Sequence, residues 1–139
     1  MKIILDTNIL VSALISTGFP SKVLNEALFN KNIFPCFSNS TFEEYQEVLA
    51  RPKFSRFPDF IENSFIVLAQ LRNKGVFFNL TQSVNLLKDK SDNKFLELAF
   101  ESKAEFLITG NTLDFTLSSF DLTQIISPKD FIEINFPNS

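Results

Sequence analysis

Short apolar runs alternate with segments of helical period along the whole chain, and no other feature of the sequence restricts the fold as much. Lys2 to Leu5 reads as a strand and "NILVSALIS" as a helix, which Gly18 and Pro20 break. Ser21 is placed to cap a second helix running through "KVLNEALFN" to about Asn30, and "IFPCFS" reads as a short buried strand. Ser40 and Glu43 have capping-box spacing, so a third helix is expected from near Thr41 to before Pro52. "DFIENSFIVLAQLRNKG" is a fourth helix ended by Gly75, followed by the strand "VFFN", the polar connection "LTQSVNLLKDKSD" and the helix "NKFLELAFESKA". "EFLITGN" is another buried strand, and "TQIISPKDF" joins a last strand to a helix capped by Ser127 and started by Pro128. Strands that alternate with helices and lack polar alternation predict an α/β domain. The expected architecture is a three-layer α/β/α sandwich around a mostly parallel sheet of about five strands.

Size and composition narrow the chemistry. The 139 residues, 45% of them hydrophobic, suit one domain spanning 1–139 with a proper core. Cys36 is the only cysteine, no N-terminal stretch has the order of a signal peptide, and no uncharged apolar run approaches the ~20 residues of a membrane helix. A soluble cytoplasmic protein with no membrane partner is the expectation. Histidine is absent, which removes the usual general base and the His-containing triads, and one thiol cannot build a multi-thiolate zinc site. Catalysis would have to rest on carboxylates, hydroxyls, amides or lysine. The net charge of −3 argues against a broad nucleic-acid footprint, although acids gathered around a metal would supply much of that charge themselves.

The acids fall at informative places. Asp6 ends an apolar strand, where a carboxylate at the edge of a core needs a partner. Glu43 has a local task in the capping box, returning to the Ser40 amide, whereas Glu44 has none. Asp92 lies at a helix start, where the dipole favours a carboxylate, and Asn111 lies just past a strand end. Ligands of parallel sheets bind beyond the carboxyl ends of the strands. Asp6, Glu44, Asp92 and Asn111 are therefore expected to converge there, with a divalent cation as the partner of Asp6.

Four blocks in order carry a family resemblance: "ILDTNILVSAL", "TFEEYQEVLARPKF", "SDNKFLELAFESKAEFLITGNTLDF" and "IISPKDFIE". The chain resembles the PIN domain (PilT N-terminus) family, particularly its single-domain toxin components of toxin-antitoxin systems. The resemblance implies a magnesium- or manganese-dependent endoribonuclease using one or two ions, with RNA as substrate. It also implies a cognate antitoxin as protein partner, and it leaves a homodimer open. Position by position, the family's first three acids fall on Asp6, Glu44 and Asp92. The fourth departs, since Asn111 stands where many members have Asp, with Asp114 three residues later as a supplementary metal ligand or the cap of a short turn. Thr7, Asn8 and Thr109 are candidates for orienting the acids or a bound water, with helix capping as the alternative for Thr7 and Asn8. Arg51, Lys53 and Arg56 form the compact basic group near a motif helix, placed either to hold RNA phosphates or to complement a helix dipole. Surplus aromatics among the eighteen phenylalanines would suit a subunit or antitoxin interface.

Two other classes compete. A magnesium-dependent phosphotransfer domain also places Asp after a first parallel strand, but the dehalogenase pattern wants a second Asp where Asn8 stands, and the receiver pattern wants Asp where Asn79 ends "VFFN". A catalytically weakened PIN-like module that binds RNA or protein is kept open by Asn111. Replacing a carboxylate with an amide weakens the hold on a second ion.

Overall fold

The structure is a computed structural model describing residues 1–87, 89–110 and 117–138. The chain runs β1 (Lys2–Leu5), α1 (Thr7–Ile15), α2 (Phe19–Phe29), β2 (Phe34–Phe37), α3 (Asn39–Leu49), α4 (Phe60–Lys74), β3 (Val76–Phe77), α5 (Asn93–Ser102), β4 (Phe106–Ile108), β5 (Ser119–Phe120), β6 (Thr123–Ile126) and α6 (Pro128–Asn135). Short 3-10 turns at Pro52–Arg56 and Lys90–Asp92 lead into α4 and α5.

Among the described residues the strands form one six-stranded sheet in the order β3-β2-β1-β4-β6-β5. All neighbours are parallel except β5 and β6. Ile3, Ile4 and Leu5 are all buried. Successive strand side chains point to opposite faces, so burial of all three means that helices cover both sides of β1, which is why the strand reads as an unbroken apolar run. The core continues through Phe95, Leu96 and Leu98 of α5, Leu107 and Ile108 of β4, and Phe131 of α6. The domain is a mostly parallel α/β/α sandwich, as the alternation of segments implied. No helix among the described residues is long and apolar enough to cross a membrane.

Local detail departs from the sequence reading in three places. The sheet has a sixth strand, because β5 turns through Asp121, in left-handed conformation at φ 53°, to pair antiparallel with β6. Ser118, Ser119 and Asp121 surround Phe120 with polar residues, so no apolar run announces this strand. Ser21 lies inside α2, whose first turn holds Pro20 and whose preceding residue is Gly18. The capping box of α3 is built by Ser38 and Thr41 in place of Ser40 and Glu43. Ser38 Oγ accepts the Thr41 N–H at 3.2 Å, and Thr41 Oγ1 accepts the Ser38 N–H at 2.9 Å. Extended backbone at Ser38 (φ −121°, ψ 175°) starts the helix two residues earlier than expected and puts Glu44 in its second turn.

Ser38 is almost fully buried, so its box fixes the start of α3 directly after β2. We expect Ser38→Ala to lower unfolding free energy in urea by about 1 kcal/mol, and Ser40→Ala by no more than a few tenths. A larger loss for Ser40→Ala than for Ser38→Ala would return the cap to Ser40.

Candidate active site

Asp6 lies directly after β1. Its backbone N–H donates to the Ile108 carbonyl at 2.9 Å, which holds the residue against the end of β4, next to Thr109. Thr109 Oγ1 donates to Asp6 Oδ2 at 2.7 Å, and Asn8 Nδ2 donates to the same oxygen at 3.1 Å. Asn8 Oδ1 in turn accepts the Gly110 N–H at 3.1 Å, tying α1 to the chain leaving β4. Only 6% of Asp6 is exposed. These neutral donors and the N-terminus of α1, which starts at the next residue, offset part of the cost of burying its charge.

Thr7 does not serve the acid beside it. Its hydroxyl donates to Glu44 Oε2 on α3, while Lys94 Nζ on α5 donates to Glu44 Oε1 at 3.0 Å. Both oxygens of Glu44 are thus engaged from two other helices. Next to Glu44, the Tyr45 hydroxyl donates to the Leu5 carbonyl, pinning α3 to β1 one residue before Asp6. Burial, followed by the neighbouring Asp6 and Glu44 carboxylates, holds the Tyr45 phenol well above its usual range, so it stays a protonated donor.

Asp92 immediately precedes α5, where the helix dipole favours its charge. The turn that delivers it is organised by Asp89, whose Oδ1 accepts the Ser91 hydroxyl at 2.7 Å and the Ser91 N–H at 3.0 Å. The Ser91 hydroxyl, followed by its backbone N–H, lowers the Asp89 carboxyl below the usual carboxylate range.

These elements enclose one open cavity of about 330 Å³, lined by Asp6, Thr7, Asn8, Val11, Ser12, Glu44, Val48, Arg51, Asp89 and Asp92. Three candidate acids from distant parts of the chain, Asp6, Glu44 and Asp92, therefore share one cavity. Arg51 borders it as well, ion-paired with Glu47 at 2.9 Å. Lys53 and Arg56 are not among the lining residues; their charges lie over the rings of Phe54 and Phe57. Asn111 and Asp114 fall outside the described residues. A larger groove of about 400 Å³ between α3 and α4 is lined mainly by apolar side chains and contains no carboxylate.

In kind, the donors fit a hard divalent cation, being carboxylates, hydroxyls and amides with neither imidazole nor thiolate. In position, no group of three such acids among the described residues is gathered tightly enough to ligate an ion as it stands. Glu44 is instead compensated by Lys94.

Sequence reasoning overlooked Lys94 and Tyr45, although both leave a trace. A lysine in the first turn of a helix opposes the dipole and so signals a local anion. The one tyrosine in a chain of eighteen phenylalanines signals a hydroxyl that has a partner.

Fold and site together define a class: a three-layer α/β/α domain with an acidic cavity beyond the carboxyl ends of adjacent parallel strands. A family model described as PIN domain matches residues 2–113, and the chain belongs to that family. PIN domains are generally metal-dependent nucleases, which places the chain among the hydrolases at that level. The uncharacterized protein MJ1680 of Methanocaldococcus jannaschii is 29% identical over 136 residues, covering 97% of this chain and 81% of that protein. No solved structure matches the chain.

Proposed function

We propose that the protein is a divalent-metal-dependent endoribonuclease acting as the toxin of a toxin-antitoxin pair. Asp6, Glu44 and Asp92 are its metal ligands, Asn111 is the fourth catalytic position and Asp114 a supplement. The observation that carries the reading is the meeting of Asp6, Glu44 and Asp92 in one cavity, from segments about 40 and 50 residues apart in a chain with no histidine. Magnesium or manganese, when bound, supplies a hard Lewis acid that activates water and stabilises the leaving oxygen at a phosphodiester. Thr109 and Asn8 fix the direction of the Asp6 carboxylate. Thr7 fixes Glu44, and the Asp89 turn presents Asp92 at the head of α5. Arg51, at the border of the cavity, attracts the RNA backbone, and the products are a 5′-phosphate and a 3′-hydroxyl.

The test is cleavage of a mixed single-stranded RNA pool with Mg²⁺ or Mn²⁺, beside an EDTA control. Metal-dependent cutting that EDTA abolishes is expected. Absence of cutting by folded, antitoxin-free protein with either ion overturns the enzymatic reading in favour of a PIN-like binding module. We further expect Arg51→Ala to raise KM for RNA about three- to tenfold with little change in kcat, and to flatten the salt dependence of binding by about one phosphate contact. A fall in kcat at unchanged KM would place Arg51 at the reacting phosphate instead.

A further inference from the structure

Lys94 lies in the first turn of α5, where the dipole disfavours a cation, yet its ammonium reaches Glu44 Oε1 at 3.0 Å. Side-chain exposure is 23% for Lys94 and 17% for Glu44, so the pair is largely but not wholly withdrawn from water and is weakly screened. Thr7 holds the other Glu44 oxygen. The ammonium therefore neutralises the one candidate acid that α3 contributes to the cavity. Arg51, which lines the cavity, is already ion-paired with Glu47.

We propose that Lys94 is a built-in competitor of the divalent cation: it occupies Glu44 in the metal-free protein and must yield that carboxylate before Asp6, Glu44 and Asp92 can act together. The inference rests on the metal-site reading of the cavity and deepens it. An ammonium beside a ligand carboxylate lowers cation affinity twice, by cancelling the ligand's charge and by repelling the incoming ion. Without a metal, the same ammonium prevents Glu44 from standing as a largely buried uncompensated charge. Lys94 thus raises the metal concentration at which the cavity fills, because the ion must first displace the ammonium from Glu44.

Titration calorimetry with Mn²⁺ alone on the full chain tests this, comparing the native protein with Lys94→Met, Lys94→Arg and Asp6→Asn. Lys94→Met is expected to bind Mn²⁺ about tenfold more tightly than the native protein, while Lys94→Arg, which keeps the charge, stays within about twofold. In a Glu44→Gln background the gain from Lys94→Met should shrink to less than about threefold, because the carboxylate that Lys94 guards is gone. Thermal unfolding provides a second readout that reports on folding: Lys94→Met should melt below the native protein without metal, and the gap should narrow as Mn²⁺ is added. Mn²⁺ affinity equal to or weaker than native in folded Lys94→Met, with native binding intact and lost in Asp6→Asn, overturns the role of Lys94 alone and leaves the metal site standing. Absence of Mn²⁺ binding by the native protein and Lys94→Met alike overturns the metal-site reading and this inference with it.

Discussion

Asp6→Asn is expected to cut metal-dependent RNA cleavage by more than about a hundredfold while leaving the fold intact, since even residues that only support a metal ligand are worth 10–100-fold. The substitution is nearly isosteric and retains an oxygen that can accept from Thr109 Oγ1, so the link between β1 and β4 survives. What disappears is the most deeply buried charge of the cavity, with 6% of the residue exposed. A carboxylate kept in such a place is costly to folding, so the urea midpoint of the variant should equal or exceed that of the native protein. Activity and stability would then move in opposite directions, as expected for a group retained for function. Cleavage within tenfold of native, measured with Mn²⁺ on single-stranded RNA, would remove Asp6 from the catalytic set.

Gly75→Ala should cost about 2–3 kcal/mol of unfolding free energy, the upper part of the range for overpacking, because the new methyl meets backbone on two sides. A Cβ at Gly75 would stand 2.6 Å from the Leu71 carbonyl oxygen, 2.7 Å from that of Pro35 and 2.9 Å from Cε1 of Phe37. Backbone φ at Gly75 is −74°, a value any residue adopts, so the penalty is one of space alone. Relief requires residue 75 to move away from both the last turn of α4, which holds Leu71, and β2, which holds Pro35 and leads into the Ser38 cap and hence to Glu44. Urea unfolding reads the loss directly. A cost below about 1 kcal/mol would show that the end of α4 shifts freely and that its packing on β2 is loose.

Much of this architecture was legible because it depends on local pattern. The run "KIIL" announced a strand covered on both faces, and Ile3, Ile4 and Leu5 are indeed all buried. Pro128 after Ser127 announced the last helix, where Ser127 Oγ accepts the Asp130 N–H at 3.1 Å. Local pattern misled where two solutions were open. Ser40 and Glu43 fit the usual capping-box pattern, yet Ser38 and Thr41, also three residues apart, form the box.

In the candidate site, which acids lack a local task was legible, and what each of them touches was not. Asp6 stood out as a charge ending an apolar strand, and Glu44 as a carboxylate with no local task. A hydroxyl or ammonium chooses its partner across distances that no window on the chain contains. Thr7 passes over its neighbour Asp6 for Glu44, 37 residues away, and Lys94 reaches the same carboxylate across 50. Periodicity, capping and chain order, all short-range, suffice for the class of fold and for which residues are chemically available. The pairing of Glu44 with Lys94, and with it the cavity's balance of charge, arises only when β1, α3 and α5 are packed together, because electrostatic energy depends on distance through space.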